Sequence, residues 1–272
     1  MLNEVVYVRR TPDRPALGLA QALRSRKEAS PSPGQDLRQV GVMIKMFSVI
    51  FEVHPKQEQF DLYLALAKNL RPALEGIDGF IDNERFESKR RPGWILSHST
   101  WRDEKSVVRW RTVAKRHETQ QRGRDEVFQD YHLRVGEVVS DTTPPKGLPL
   151  VEQRLDETEV GVGKFATLTE VSPAPDAAGF MAPSELAARL AIDREHPALI
   201  DHDVFVSIYN ARKLALLASW RDSGSAEAFR PHPLEASGAV RHRVVRIVRD
   251  YGMFDRRESP QYYPDIERGP AI

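Results

Sequence analysis

Histidine, tryptophan and arginine side chains in the first half of the sequence have the types and spacing to act on a small organic molecule. His98 and Trp94 share an extended stretch, and alternation places them on one face of a strand. Trp110 and His117 are spaced to share one face of a helix. A neutral histidine can remove a proton near pH 7, and an arginine or tryptophan N–H can stabilise the resulting anion. The catalytic candidates are therefore His98, His117 and Trp110, and the substrate-binding candidates are Trp94, Trp101 and Arg111.

Each candidate also has a purely structural interpretation. His98 can be a hydrogen-bonded histidine of the core, and the stripe that contains Trp110 can be the packing face of its helix. Trp101 and Arg111 both recur in the second half of the chain, and recurrence favours a core tryptophan and a structural ion pair or cap. The residues alone leave both interpretations open.

Other kinds of site have little support in the sequence. There is no cysteine, which excludes disulfides, thiolate metal sites and cysteine nucleophiles. The eight histidines show neither HExxH nor HxH spacing, and no glycine-rich loop follows a strand, so neither a metal site nor a phosphate site is expected. Four arginines near the last strand can either meet an anionic ligand or guard an exposed strand edge: Arg241, Arg243, Arg246 and Arg249.

The charge balance excludes two classes of partner. The 272 residues include 40 basic and 39 acidic side chains, a formal net charge of +1, which gives no electrostatic footprint for nucleic acid or an anionic membrane. No apolar run approaches the roughly 18 residues of a membrane span, and the first residues lack the apolar core of a secretory signal. These features predict a cytoplasmic protein whose partners are small molecules.

An internal repeat organises the elements that must position these side chains. The Trp-Arg-Asp motif at residue 101 returns at residue 220, an offset of 119, and the segment 47–55 returns as 165–173, an offset of 118. One offset held within a residue over such a span indicates a tandem duplication. The two units, here called repeat one and repeat two, have roughly 100 residues each.

Each repeat predicts the order strand, helix, strand, strand, helix, strand. Alternating apolar residues from Phe47 to Val53 give the first strand, apolar residues at helical spacing from Phe60 give the first helix, and Asp103 caps the second. The last strand of repeat two is expected at about 240–249. This order is that of the ferredoxin-like split βαβ unit. We expect an α+β fold in which the two units pack sheet to sheet and enclose a small-molecule pocket between the sheets.

Domain boundaries follow from composition and from the repeat. Residues 1–42 are rich in arginine, serine and proline and poor in apolar side chains, which predicts a disordered extension. Residues 43–140 form the first domain and 159–250 the second, diverged one. A proline-bearing linker spans 141–158, and an aromatic C-terminal arm spans 251–272.

Repeat one resembles the antibiotic biosynthesis monooxygenase domain family. The resemblance includes the opening strand, Trp101, and the run from Trp110 through His117 to Val135, and it is weaker in repeat two. Because members of this family are dimeric α+β barrels, the resemblance implies an intramolecular pseudo-dimer, with further homodimer formation left open. It also implies oxygenation of small aromatic or polyketide-like substrates without metal or flavin.

A haem-degrading branch of the same family carries an Asn in the first strand and a Trp and a His on the second helix. Trp110 and His117 are offered for the latter pair, but the strand from Phe47 to His54 has no Asn, which argues against haem. We therefore expect a cofactor-independent monooxygenase that oxidises a small aromatic, quinone-like or polyketide-like substrate with dioxygen. The alternative is a non-catalytic ligand-binding or stress-associated protein, because a fold does not fix a function.

Overall fold

The structure, a computed structural model, describes residues 43–113, 121, 123–174, 181–234 and 237–260. The extension expected at 1–42 and the catalytic candidate His117 lie outside the described residues, and both expectations stay predictions.

Repeat one contains four strands and two helices among its described residues. In chain order they are β1 Phe47–Pro55, α1 Phe60–Glu75, β2 Phe80–Ser88, β3 Ile95–Trp101, α2 Glu104–Thr112 and β4 Phe128–Asp141. A single π-helical turn, Gly123–Val127, leads into β4. The predicted cap of α2 is confirmed, because the Asp103 carboxylate accepts a hydrogen bond from the Ser106 backbone N–H at 2.8 Å.

Repeat two follows the same order with shorter helices. Its elements are β5 Phe165–Pro173, α3 Leu186–Arg189, β6 Leu199–Ser207, β7 Leu214–Trp220, α4 Ser223–Ala228 and β8 Ser237–Gly252. Asp222 caps α4 in the same way, accepting a hydrogen bond from the Ser225 backbone N–H at 2.8 Å. The last strand extends beyond its predicted range at both ends, since its neighbours on both sides keep it hydrogen-bonded.

The eight strands form one closed barrel in the order β1-β3-β2-β6-β7-β5-β8-β4. Each repeat supplies four adjacent strands, and hydrogen bonds join the two sheets along both edges, from β2 to β6 and from β4 to β8. The α+β class is confirmed. The exposed edge considered for the arginines from Arg241 to Arg249 is wrong, because β8 pairs with β4 on one side and with β5 on the other.

Alternation along the strands separates three apolar clusters. One fills the middle of the barrel and draws on both repeats, with members such as Ile50, Phe86, Leu168 and Phe205. The second lies between the outer face of the repeat-one sheet and α1 and α2, and the third covers the corresponding face of repeat two. Side chains fill the middle of the barrel, and the cavity that lies between the two sheets is at one end of the barrel, where residues of both repeats line it.

Candidate functional site

A cavity of about 150 Å³ lies between the outer face of the repeat-one sheet and the helices that cover it. Its walls are mostly apolar and aromatic, and include Val49, Phe51, Tyr63, Leu66, Phe128 and Leu133. Strand alternation aims every second side chain of β1, β2 and β3 toward the helices, so that Asn83, Arg85, Ser97 and Ser99 reach the same space. An apolar pocket with a few convergent polar groups is the usual form of a small-molecule site.

One end of this cavity is built around the Tyr131 hydroxyl group. Arg124 Nη1 donates a hydrogen bond to Tyr131 Oη at 2.7 Å, and Arg256 Nη1 donates to the same oxygen at 2.6 Å. Arg124 comes from the π-helical turn before β4, and Arg256 follows β8 of repeat two. Repeat one and the C-terminal segment after β8 therefore each contribute a cation to this end of the cavity.

The other end is built around Arg85 on β2. This side chain is only 8% exposed, and its Nη1 donates a hydrogen bond to Tyr209 Oη at 2.9 Å. It is also hydrogen-bonded to the Tyr63 side chain, and burial raises the pKa of the Tyr63 phenol, which therefore stays neutral at physiological pH. The Arg85 Nε atom is buried without a hydrogen-bond partner among the described residues.

Repeat two provides an internal comparison for these polar side chains. The strand registers place Val204, Leu216 and Ala218 at the positions that Arg85, Ser97 and Ser99 occupy in repeat one. The three repeat-two residues pack into the apolar cluster under α3 and α4. The fold is thus formed equally well with apolar residues at these positions. Packing therefore does not require polar residues at the positions of Arg85 and Ser97, whereas Ser99 accepts the Trp101 N–H, a hydrogen bond that Trp220 makes to Thr167 in repeat two.

Two of the sequence candidates lie at this cavity. Trp110 on α2 forms part of its wall, and Trp101 stacks on Trp110 with ring centroids 6.5 Å apart. Trp101 is fully buried, and its Nε1 donates to Ser99 Oγ at 2.9 Å, so it supports the wall from behind. Arg111 lines a separate narrow recess of about 30 Å³ next to Trp110.

His98 and Trp94 lie elsewhere. His98 points into the barrel, on the opposite face of the sheet from the cavity, with its Nε2 2.7 Å from Ser48 Oγ. Burial, reinforced by the Arg243 guanidinium, holds the pKa of His98 well below its usual value, so the ring is neutral at pH 7. Trp94 precedes β3 in the hairpin, where it stacks on His54 at 5.3 Å. The structure does not bring either residue together with Trp110.

The residues that the sequence analysis missed are those at the two polar ends: Asn83, Arg85, Ser97, Ser99, Arg124, Tyr131 and Arg256. A signal for part of this set was present in the sequence. Aligning the repeats at the offset of 119 places the polar residues Arg85, Ser97 and Ser99 opposite apolar ones. Such a difference between two copies of one fold indicates a position where the side chain is not needed to fill the core.

A second, more polar cavity of about 430 Å³ opens at one end of the barrel. Its buried charges are paired: Glu52 accepts hydrogen bonds from both Arg91 and Arg134, and Arg91 Nε also lies 2.8 Å from Asp203 Oδ2. Burial raises the pKa of Glu52, but the Arg134 and Arg91 guanidinium groups outweigh this effect and hold the pKa below its ordinary value.

The pair of Glu52 with Arg134 has an equivalent in repeat two, also inside the barrel. Glu170 Oε1 lies 2.9 Å from Arg243 Nη2, as Glu52 pairs with Arg134. Arg134 Nη1 donates to Ser219 Oγ at 2.6 Å, and Arg243 Nη1 donates to Thr100 Oγ1 at 3.0 Å. A pairing that both repeats keep serves the barrel itself, so we place the candidate site in the cavity of repeat one.

Two structural features are absent from the described residues. Among the described residues, no group of three or more histidine, aspartate or glutamate side chains is arranged to hold a metal ion. No helix in the described part of the chain has the length and apolar character needed to cross a bilayer.

Comparison with known proteins gives one strong match and several weak ones. The antibiotic biosynthesis monooxygenase family model matches residues 46–122. Jasmonate monooxygenase of Pyricularia oryzae is 45% identical over 223 residues, which cover 80% of this chain and 99% of that protein. A putative monooxygenase structure from Lactobacillus acidophilus is 8% identical, with a TM-score of 0.34 over 76% of this chain and 95% of that one. An aldoxime dehydratase structure is 10% identical, with a TM-score of 0.48 over 76% of this chain and 82% of that one.

Proposed function

Since the chain belongs to the antibiotic biosynthesis monooxygenase family, we propose that it is a monooxygenase that oxidises a small, mostly apolar molecule in the cavity of repeat one. The observation that carries the proposal is the set of polar side chains at this cavity, which repeat two replaces with Val204, Leu216 and Ala218. We interpret the barrel as a pseudo-dimer within one chain, in which repeat two completes the site by supplying Tyr209 and the end of β8, and the C-terminal arm supplies Arg256.

The substrate we propose is an enolisable ketone of the jasmonate type, because the relative with 45% identity is a jasmonate monooxygenase. Phenolic or quinone-like aromatic compounds are the second class to test. The described lining residues include three arginines, Arg85, Arg124 and Arg256, and no aspartate or glutamate. Such a site favours the anionic form of a bound substrate, since cations near a developing negative charge lower its free energy.

The proposed reaction needs no external reductant. A proton on a carbon next to a carbonyl group passes to a base, the role for which His117 is the remaining candidate, and the resulting enolate transfers electrons to dioxygen in a dry cavity. Both C–H bonds of that carbon are lost, one oxygen atom becomes a new carbonyl oxygen, and the other leaves as water. The substrate supplies all four electrons, and we therefore propose that neither metal, flavin nor haem takes part.

Oxygen uptake by the purified chain tests this proposal. With jasmonic acid, or with one compound of a phenol, hydroquinone and anthrone panel, we expect uptake above the rate without protein. The product should have gained one oxygen atom, labelled from ¹⁸O₂, and lost two hydrogen atoms. Ligand binding without any oxygen uptake across the panel would contradict the proposal and support the non-catalytic ligand-binding alternative.

A further inference from the structure

We propose that Arg85 is the recognition site for a carboxylate group of the substrate, at the end of the cavity opposite Tyr131. This inference rests on the proposed function for the identity of the ligand, and it assigns the ligand's charged end to one residue. It follows from the charge, partners and position of Arg85.

Arg85 is a buried cation without an anionic partner. Its side chain forms no ion pair with any aspartate or glutamate of the described residues, and its hydrogen-bond partners Tyr209 and Tyr63 are phenols. Neutral phenols satisfy N–H groups but do not neutralise a charge. A buried arginine is ordinarily paired, because removing a charge from water costs several kcal/mol unless an opposite charge compensates it. The other buried arginines of the barrel interior follow this rule, as Arg134 pairs with Glu52 and Arg243 with Glu170.

The fold does not require an arginine at this position. Val204 occupies the same register on β6, where it pairs with Leu216 as Arg85 pairs with Ser97. Val204 packs against the apolar cluster of repeat two. An uncompensated cation that the fold can replace with valine is therefore best explained by an anion that is supplied from outside the chain.

The position of Arg85 suits a ligand with two different ends. Arg85 lies on β2 and Tyr131 on β4, and the strands β3 and β1 separate them. Three strand spacings amount to about 14 Å, and the wall between the two ends is mostly apolar. A small molecule with a carboxylate at one end, an apolar body and a carbonyl group at the other fits this pattern. The carboxylate would pair with Arg85, and the carbonyl would lie at the end where Arg124 and Arg256 meet.

Tyr209 gives repeat two a part in this subsite. It stands in the hairpin between β6 and β7, is 55% exposed, and places its hydroxyl on the Arg85 guanidinium. A guanidinium has five N–H donors, so a carboxylate can bind Arg85 beside the Tyr209 hydroxyl or replace it.

Binding of jasmonic acid and of its neutral methyl ester, measured by calorimetry without oxygen, tests the proposal. The variants are Arg85→Val, which introduces the residue of repeat two, Arg85→Lys, which keeps the charge, and Arg189→Gln, a control at an exposed i, i+4 pair with Glu185. We expect the wild type and the control to bind the acid about 10- to 100-fold more tightly than the ester, as hydrogen bonds to a charged group predict. Arg85→Val should lose this preference because it binds the acid more weakly and the ester with unchanged affinity. Arg85→Lys should keep part of the preference.

Three results would overturn the proposal: no binding of the acid to the wild type, equal affinity of the wild type for acid and ester, or an equal loss of affinity for both ligands in a folded Arg85→Val. Thermal melting establishes whether Arg85→Val folds. If it does not, Arg85→Lys decides the question, because an anion site predicts that this variant keeps part of the preference for the acid. Equal affinity of Arg85→Lys for acid and ester would contradict the proposal. Failure of the proposed function is distinguishable, because acid-selective binding that depends on Arg85 can be observed even if no oxygen is consumed.

Discussion

At the scale of single residues, the face of the sheet on which a buried polar group lies decides what it can contact. His98 has the chemical type of a base, but it lies in the barrel interior, beside Ser48 and among the charges of Asp82 and Arg243. Arginine is usually a surface residue, but Arg85 is buried at a cavity, where phenol groups are its hydrogen-bond partners. The face of the strand, rather than the residue type, separates the histidine of the barrel interior from the candidate binding arginine at the cavity.

Replacing His98 with leucine, the residue that repeat two carries at the equivalent position, should change the pH dependence of stability more than it changes activity. The lowered pKa of His98 means that the unfolded chain binds a proton before the folded chain does. Stability of the wild type should therefore fall as the pH drops below about 6.5, the ordinary histidine value.

In urea unfolding at pH 7 and pH 5, His98→Leu should reduce this fall by on the order of 1 kcal/mol. A remaining dependence is expected from His242, where burial lowers the pKa to about 4. An unchanged difference between the two pH values in His98→Leu would show that the ring does not remain neutral in the fold.

At the scale of elements, the seam between β4 and β8 fixes how the barrel closes. The register shifts between Val135 and Gly136, and at Gly136 the neighbouring strand leaves no room for a side chain. A Cβ atom at Gly136 would lie 2.3 Å from the Arg246 backbone oxygen and 2.5 Å from Val245 Cγ1. Glycine is needed here for the close approach of two backbones, which lets two strands from different repeats pair over most of their length.

Gly136→Ala should therefore destabilise the protein by about 1–3 kcal/mol, the usual cost of overpacking, because the neighbouring atom is backbone and cannot rotate away. Gly163→Ala is the matched control, since its Cβ would meet its nearest neighbour, Ile200 Cδ1, at an ordinary 3.5 Å. Thermal melting compares the two. Equal melting temperatures in both variants would mean that the seam can widen without cost.

At the scale of the whole molecule, the two repeats contribute equally to the barrel and unequally to the candidate site. The ion pair of Glu52 with Arg134 has its counterpart in Glu170 with Arg243, and each arginine also bonds a hydroxyl of the other repeat. The cavity, by contrast, lies in repeat one, while repeat two supplies Tyr209 and the end of β8, and the C-terminal arm supplies Arg256.

Glu52→Gln and Glu170→Gln should each destabilise the barrel by about 3–5 kcal/mol at pH 7, since each leaves a buried arginine uncompensated. Glu185→Gln, at an exposed pair, should change stability by less than about 1 kcal/mol. For Glu52 the difference in stability between the wild type and the variant should shrink as the pH falls below about 4.5, the ordinary pKa of a glutamate. It should vanish once the pH passes the lowered pKa of Glu52 in the folded protein, because the wild type then also loses this charge. Chemical unfolding measures these differences, and a neutral effect of both buried substitutions would contradict a structural role for the pairs.

The sequence predicts the elements better than it predicts their faces. Strand alternation and the caps at Asp103 and Asp222 are local, so they can be read without knowing the fold. The closure of the barrel and the side of the sheet that carries the cavity depend on pairing between distant strands. β2 is polar on both faces, from Asp82 to Arg85, so its pattern alone does not tell which side meets the helices. The comparison of the two repeats supplies the missing information at Arg85.

The most direct measurement is oxygen uptake by a variant whose repeat-one cavity wall carries a residue of repeat two. Ser97→Leu reproduces Leu216, and it should fill the cavity while the fold is kept, because Ser99 remains the acceptor for the buried Trp101 N–H. We predict that this variant melts like the wild type and loses oxygen uptake, and that His98→Leu keeps most of it. Full uptake in Ser97→Leu, together with loss of uptake in His98→Leu, would place the reaction inside the barrel and contradict the account.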